Sequence, residues 1–114
     1  MLVFKLLTPD EMAAYNLEGE APLSPADARD GYVHLSTAAQ VAETAGRHFA
    51  DRDALWLLAV ETGRLGDGLR WEEARGGERF PHFYGRLAAR HVLWSRSLRR
   101  GTDGRFRFPE EIGP

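Results

Sequence analysis

A near-continuous apolar run, Leu55–Val60, constrains the fold of this chain most. A strand that is apolar on both faces is typical of the middle of a sheet, with other structure packed on each side. A second apolar run, Leu2–Leu7, is interrupted only by Lys5 and predicts another buried strand. The chain has 114 residues, which is the size of one domain, so we expect a single domain over residues 1–114.

Three capping signals predict where helices begin, because a side-chain oxygen at a helix start satisfies an unpaired backbone N–H. Thr8 with Glu11 forms a capping box that starts a helix reaching about residue 17. Thr37 with Gln40 starts a second helix that reaches about residue 50. Ser24, which is followed by proline, starts one more helical turn.

The remaining extended segments predict a mostly antiparallel sheet. The segment 87–98 fits no single periodicity, and the turn at 101–104 predicts pairing between the two segments that flank it. These further strands are predicted at residues 31–36, 69–75, 80–85, 91–94 and 105–108. The pattern as a whole predicts an α+β fold in which helices flank the sheet.

Composition excludes several classes of protein. The chain has no cysteine, so disulfides, thiolate nucleophiles and cysteine metal sites are excluded. Its four histidines, at positions 34, 48, 82 and 91, have no spacing typical of metal ligands, and we predict no metal site. No apolar stretch approaches the roughly 18 residues that a membrane span needs, and the start of the chain does not resemble a signal peptide. We therefore expect a cytoplasmic protein with no membrane association.

Charge is distributed unevenly along the chain. Residues 86–108 contain seven arginines and one aspartate, whereas the net charge of the whole chain is −2. One interpretation is contact with a polyanion such as RNA, because arginine neutralises phosphates. The other is a solvated strand edge whose charge prevents self-pairing, which is the commoner arrangement. Nucleic acid is thus the less expected partner.

The segment 31–37 is the first candidate for a functional site. Side chains alternate along a strand, so Tyr32, His34 and Ser36 share one face. The helix that starts at Thr37 presents free N–H groups, which bind phosphate or carboxylate readily. The alternative is that Thr37 and Gln40 satisfy this helix end themselves and that His34 is a hydrogen-bonded interior residue.

The segment 71–85 is the second candidate. It combines aromatic, acidic and basic side chains with three glycines in fifteen residues. Polar groups on loops that a scaffold positions are the usual material of binding sites. Arg75 is suited to a phosphate or carboxylate, which its guanidinium binds through two parallel hydrogen bonds. The alternative is an internal Glu–Arg pair, with Tyr84 and its neighbour in the core.

Both segments resemble signatures of the domain-of-unknown-function 952 family of small bacterial proteins. Residues 30–40 resemble its DG-[FY]-[IV]-HLS-x-x-x-Q signature, and residues 71–85 resemble WE-x-x-R-G-G…FPH-x-YG. The resemblance covers nearly the whole chain. Ala74 departs from the serine expected at that position in many relatives.

The resemblance implies a fold and a ligand, because this family is grouped by similarity with the ADP-ribosyltransferase superfamily. It implies a split, mostly antiparallel sheet with two or three short helices that clasps NAD. It also implies that His34 contacts the nicotinamide ribose and that Tyr32, Trp71 or Tyr84 stacks on nicotinamide. For the later glutamate that drives transfer in that superfamily, the candidates are Glu72 and Glu73, of which Glu72 is the predicted catalytic carboxylate.

Three functional hypotheses remain open on the sequence. The first is an enzyme that acts on NAD or a related nucleotide, with His34 and Glu72 as catalytic residues. The second is a non-catalytic module that binds a small anion, a nucleotide or a protein in the same pocket. The third is RNA contact through the arginine-rich segment. The predicted ligand-binding residues are Tyr32, Ser36, Thr37, Gln40, Trp71, Arg75, Phe80, His82 and Tyr84.

Overall fold

The strands of this protein form two antiparallel sheets of three strands each in the computed structural model, which describes residues 1–112 but not the side chain of Arg75. The strands are β1 (Leu2–Leu7), β2 (Val33–His34), β3 (Ala54–Glu61), β4 (Leu69–Glu73), β5 (Arg79–Phe83) and β6 (Val92–Arg99). The helices are α1 (Pro9–Glu18), α2 (Pro25–Asp30) and α3 (Ala38–His48). The α+β class predicted from the sequence is confirmed, and the single sheet predicted from periodicity is divided into two.

The first sheet has the order β1–β3–β6, with the apolar strand β3 in the centre as predicted. Four consecutive residues of β3, from 57 to 60, have no exposed surface. The two faces of the strand serve separate parts of the core. Leu58 packs toward Met12 of α1 and Val33 of β2, whereas Leu57 packs toward Val41 of α3. Both faces of β3 are apolar because both are covered.

The second sheet has the order β2–β5–β4, and its pairing register separates polar from apolar side chains. His34 lies opposite His82, and His82 lies opposite Arg70, so these three side chains form a row on one face. The adjacent row contains Val33 opposite Phe83, and both of these side chains are buried in the core. The short sheet thus has one core face and one face with ionisable groups.

A β-bridge links strand β1 to the residues that follow β2. The backbones of Phe4 in β1 and Ser36 exchange two hydrogen bonds, of 2.7 and 2.9 Å. The strand predicted over residues 31–36 is therefore shorter than expected. Its ladder with β5 covers Val33–His34, the Leu35 N–H adds one hydrogen bond to the Pro81 carbonyl at 3.1 Å, and the chain then crosses to the edge of β1.

The capping signals located the helices. Thr8 and Glu11 form the predicted box, with hydrogen bonds of 3.2 and 2.9 Å, and α1 follows directly. Ser24 and Asp27 form a second box that the sequence analysis missed, so the predicted single turn is the six-residue helix α2. In the described residues no helix has the length and apolar character needed to cross a membrane.

The predicted pairing of residues 91–94 with 105–108 is largely wrong. Strand β6 extends to Arg99, and residues 105–108 make only one bridge, Arg100 to Phe106. The ring of Phe106 is buried in the core beneath α3, and the Arg100 guanidinium lies 4.5 Å from the centre of that ring. Burial of this side chain takes the segment away from the strand edge after one contact.

Candidate functional site

A cavity of about 600 Å³ opens between the two sheets. Strand β1, the region of α2, the segment 32–36, the end of α3 and strand β5 all contribute side chains to its lining. Apolar rings such as Phe4, Phe49 and Phe80 occupy part of the wall, and Tyr32, His34 and His82 occupy another part. The cavity thus lies beside the Phe4–Ser36 bridge, since both of these residues line it.

Three rings from the two predicted segments meet at this cavity. The ring of Tyr32 stacks on His82 with 4.0 Å between centroids, and it lies 4.6 Å from the ring of His34. The two imidazoles are 5.8 Å apart, and Tyr84 lies 5.2 Å from Tyr32. The fold therefore brings the segments 31–37 and 71–85 together, because β2 pairs with β5.

His34 lies between two carboxylates that the sequence analysis did not predict as part of the site. Its Nδ1 is 2.7 Å from Oδ1 of Asp27, and its Nε2 is 2.9 Å from Oδ2 of Asp30. Asp30 also accepts hydrogen bonds from the Arg29 guanidinium. The hydrogen bond from Arg29 lowers the pKa of Asp30 to about 2, with a further contribution from His34.

Asp27 connects three elements at the base of this arrangement. Its side chain is buried, and its carboxylate accepts hydrogen bonds from the Lys5 ammonium at 2.9 Å and from the backbone N–H groups of Ser24 and His34. Burial raises the pKa of Asp27, but the hydrogen bond from His34 and the positive charge of Lys5 outweigh it and hold the pKa well below its usual value. The ion pair of Lys5 and Asp27 ties β1 to α2 and β2.

His82 has one carboxylate partner, Glu72. Its Nδ1 is 2.8 Å from Oε1 of Glu72, and the Tyr84 hydroxyl donates to the same oxygen at 2.8 Å. These two hydrogen bonds lower the pKa of Glu72, and the bond to Glu72 raises the pKa of Tyr84. The Arg70 guanidinium lies 5.7 Å from the centre of the Tyr84 ring.

Two of the predicted ligand-binding residues have structural contacts instead. Gln40 accepts from the Thr37 N–H at 3.0 Å and donates to the Arg79 carbonyl at 2.7 Å, so it closes the start of α3 and ties it to β5. Neither Thr37 nor Gln40 lines the cavity. Ser36 does line it, although its hydroxyl donates to Thr44 at 3.1 Å.

The predicted residues of the second segment divide between the two faces of the sheet. Phe80 and His82 line the cavity, and Tyr84 and Glu72 join them through the contacts above. Trp71 lies on the opposite face of β4 from Glu72, because neighbouring residues of a strand alternate, and it is outside the cavity lining. The side chain of Arg75 lies outside the described residues.

Sequence reasoning missed Lys5, Asp27 and Asp30 as members of the site. Lys5 carried a signal, since a lone charge inside an apolar strand requires a buried partner. Asp27 carried another signal, because it stands three residues after Ser24 in a capping box. Within residues 1–112, no group of three His, Asp or Glu side chains is arranged to hold a metal ion.

The model of the family described as Protein of unknown function (DUF952) matches residues 6–95. This chain belongs to that family. No curated protein is significantly similar to it in sequence. The crystal structure of protein CC0527 from Caulobacter crescentus is 38% identical over 98% of both chains, with a TM-score of 0.91. A double mutant of that protein is 37% identical over the same shares, with a TM-score of 0.90.

A solution structure of CC0527 is also similar to this DUF952 protein. It is 40% identical over 91% of this chain and 90% of the other, with a TM-score of 0.81. The resemblance that the two motifs carried is thus confirmed at the level of the DUF952 family. Neither the family description nor the names of these structures specify a ligand or a reaction.

Proposed function

We propose that the cavity of this DUF952 protein binds a nucleotide of the NAD or ADP-ribose type. The observation that carries the proposal is the meeting of Tyr32, His34 and His82 at one cavity between the two sheets. Its volume of about 600 Å³ is within the range of roughly 300–1,000 Å³ typical of small-molecule sites. Such sites combine apolar walls with a few fixed polar groups.

The lining matches the parts of such a ligand. Phe4, Phe49 and Phe80 offer apolar surface to a planar base or nicotinamide ring. The imidazole of His82, of which Nδ1 faces Glu72, stands where a ribose hydroxyl would find a hydrogen-bonding partner, and the His34 ring lies beside it. Arg29 lines the cavity with its side chain largely exposed, which places a guanidinium where phosphates could reach it from solvent.

Isothermal titration calorimetry with ADP-ribose and with NAD tests the proposal. We expect both to bind the parent protein. We expect Tyr32→Ala to weaken binding about 5- to 150-fold, since an aromatic ring that stacks on a bound base contributes about 1–3 kcal/mol. Trp71→Ala is the matched control, because Trp71 lies on the other face of β4. The Trp71→Ala variant should bind both nucleotides with the affinity of the parent protein.

Two outcomes would contradict the proposal. One is that neither nucleotide binds the parent protein, and the other is that Tyr32→Ala binds as tightly as the parent. Incubation with NAD then separates an enzyme from a binding module. Release of nicotinamide indicates catalysis, whereas unchanged NAD with retained affinity indicates a non-catalytic module.

A further inference from the structure

The two imidazoles of the cavity differ in the number of nitrogens that face a carboxylate. Both nitrogens of His34 do so, at 2.7 Å from Asp27 and 2.9 Å from Asp30. An ionised carboxylate can only accept hydrogen bonds. Asp27 already accepts from the Lys5 ammonium and from two backbone N–H groups, and Arg29 donates to Asp30. Both nitrogens of His34 therefore face oxygens that can only accept a hydrogen bond.

His82 has only one nitrogen in such a contact. Its Nδ1 faces Oε1 of Glu72 at 2.8 Å, and the Tyr84 hydroxyl donates to that same oxygen. The proton on this side of the ring is thus fixed at Nδ1, and Nε2 is the nitrogen that can gain or lose a proton. The ring is buried and lines the cavity, where a bound ligand can reach it.

We propose that His82 is the acid–base group of this pocket and that His34 is a fixed cation that only orients the ligand. In the proposed complex, a ribose hydroxyl in the cavity donates a hydrogen bond to Nε2 of neutral His82. A ring that carries a proton at Nε2 first releases it to solvent, so the N–H bond breaks and the electron pair stays on Nε2, where it accepts the hydrogen bond. The proposal rests on the proposed function for the identity of the ligand, but not for the proton states of the two rings.

Glu72 and Tyr84 are positioning residues in this assignment. Glu72 selects the ring nitrogen that carries the proton, and Tyr84 orients the Glu72 carboxylate. The other charged or titratable groups around His82 come from several neighbouring elements. They are Arg70 on β4, Tyr32 and His34 on the β2 segment and, in the lining of the same cavity, Lys5 on β1, Arg29 and Asp30 on α2, and His48 on α3.

Long-range ¹H–¹⁵N NMR of the histidine side chains tests the proton states in the ligand-free protein between about pH 5 and 8. Near neutral pH we expect His34 to show two protonated nitrogens and His82 to show a proton at Nδ1 with a lone pair at Nε2. Glu72→Ala should abolish the preference for Nδ1. Glu73→Ala removes an exposed carboxylate from the opposite face of β4 and should leave the spectrum of His82 unchanged. A lone pair on His34, or a proton only on Nε2 of His82, would overturn the assignment.

Calorimetry with ADP-ribose in two buffers of different ionisation enthalpy tests the proton exchange. At a pH where the spectra show both protonation states of His82, binding should be coupled to proton exchange with the buffer. Glu73→Ala should retain this coupling, and His82→Gln should lose it. Binding without proton exchange overturns the assignment and leaves the proposed function intact. Absence of binding contradicts the proposed function alone, and the NMR spectra then decide the assignment.

Discussion

Strands β3 and β5 are both largely buried, but β3 is covered by the apolar core on both faces, whereas one face of β5 lines the cavity. In β3 the consecutive residues 57–60 are fully covered, and apolar side chains fill both faces. In β5, Phe83 packs into the core, whereas His82, its neighbour on the other face, lines the cavity. A buried strand with a polar residue on one face indicates a site in this molecule, and a buried strand without one indicates the core.

The two sheets also differ in the contacts that hold them together. The first sheet is joined by long ladders of six and seven residue pairs on the two sides of β3. Strand β2 contributes only two residue pairs to the second sheet, and its position depends on the contacts of Asp27 with Lys5 and His34. The position of β2 beside the cavity thus depends on a few polar contacts. The first sheet is held by its long backbone ladders and does not depend on those contacts.

Of the changes considered, replacing Asp27 with alanine should lower the free energy of unfolding the most, because it removes the polar contacts that position β2. Removing one partner of a buried ion pair costs about 3–5 kcal/mol, because Lys5 would remain buried without its carboxylate. Urea unfolding measures the loss. Leu57→Ala is the control in the first sheet, with an expected cost of about 2–5 kcal/mol.

The two variants should affect the side chains of the cavity differently even if they lose the same free energy of unfolding. Leu57→Ala should leave the histidine NMR spectra unchanged, and Asp27→Ala should change the spectrum of His34. If Asp27→Ala unfolds at the same urea concentration as the parent protein, the polar contacts do not stabilise the second sheet.

Low pH should also weaken the polar contacts that position β2, because it protonates the Asp27 carboxylate. The pKa of Asp27 is lower in the folded protein than in the unfolded chain, so its contribution is present above the unfolded value of about 3.9 and is lost as the pH falls below it. A carboxyl whose pKa falls from about 3.9 to about 2.0 on folding contributes about 2.6 kcal/mol at neutral pH. Between pH 7 and pH 3 it is mainly the unfolded chain that takes up this proton, so we expect about 1.3 kcal/mol of the contribution of Asp27 to be lost.

Urea midpoints at about pH 7 and pH 3 measure this loss, and the drop between them should be smaller in Asp27→Asn than in the parent protein. The drop that remains in the variant comes from other carboxyls with lowered pKa, such as Asp30 and Glu72. An equal drop in both proteins would show that Asp27 does not link folding to pH.

Gly68→Ala tests the packing of the second sheet rather than its polar contacts, and we expect a smaller effect than that of Asp27→Ala. A Cβ at this position would lie 2.7 Å from the Phe83 ring and 3.2 Å from the carbonyl oxygen of Tyr84. Overpacking of this kind costs about 1–3 kcal/mol, and it should displace β5 and its row of site residues. Gly46→Ala in α3 is the control, since its Cβ would meet open space and should stabilise the helix by about 0.5–1 kcal/mol. Equal unfolding midpoints for the two variants would contradict this account.

Some parts of the site were predictable because their signals are local. Alternation along a strand placed Tyr32 and His34 on one face, and both line the cavity. Other parts depend on contacts between distant segments. Trp71 and Glu72 are adjacent in sequence and equally suited to a ligand, but pairing with β5 turns only Glu72 toward His82.

The sequence by itself determined the central position of β3, the start of each helix, the α+β class and the family. These properties follow from apolar periodicity, from capping boxes whose two residues stand three positions apart, and from two sequence motifs. Only the tertiary structure decided that two sheets form rather than one, that Asp27 and Asp30 enclose His34, and that His34 and His82 have different partners. Those outcomes depend on which strands pair and in what register, and register is a property of contacts between segments that no single segment encodes.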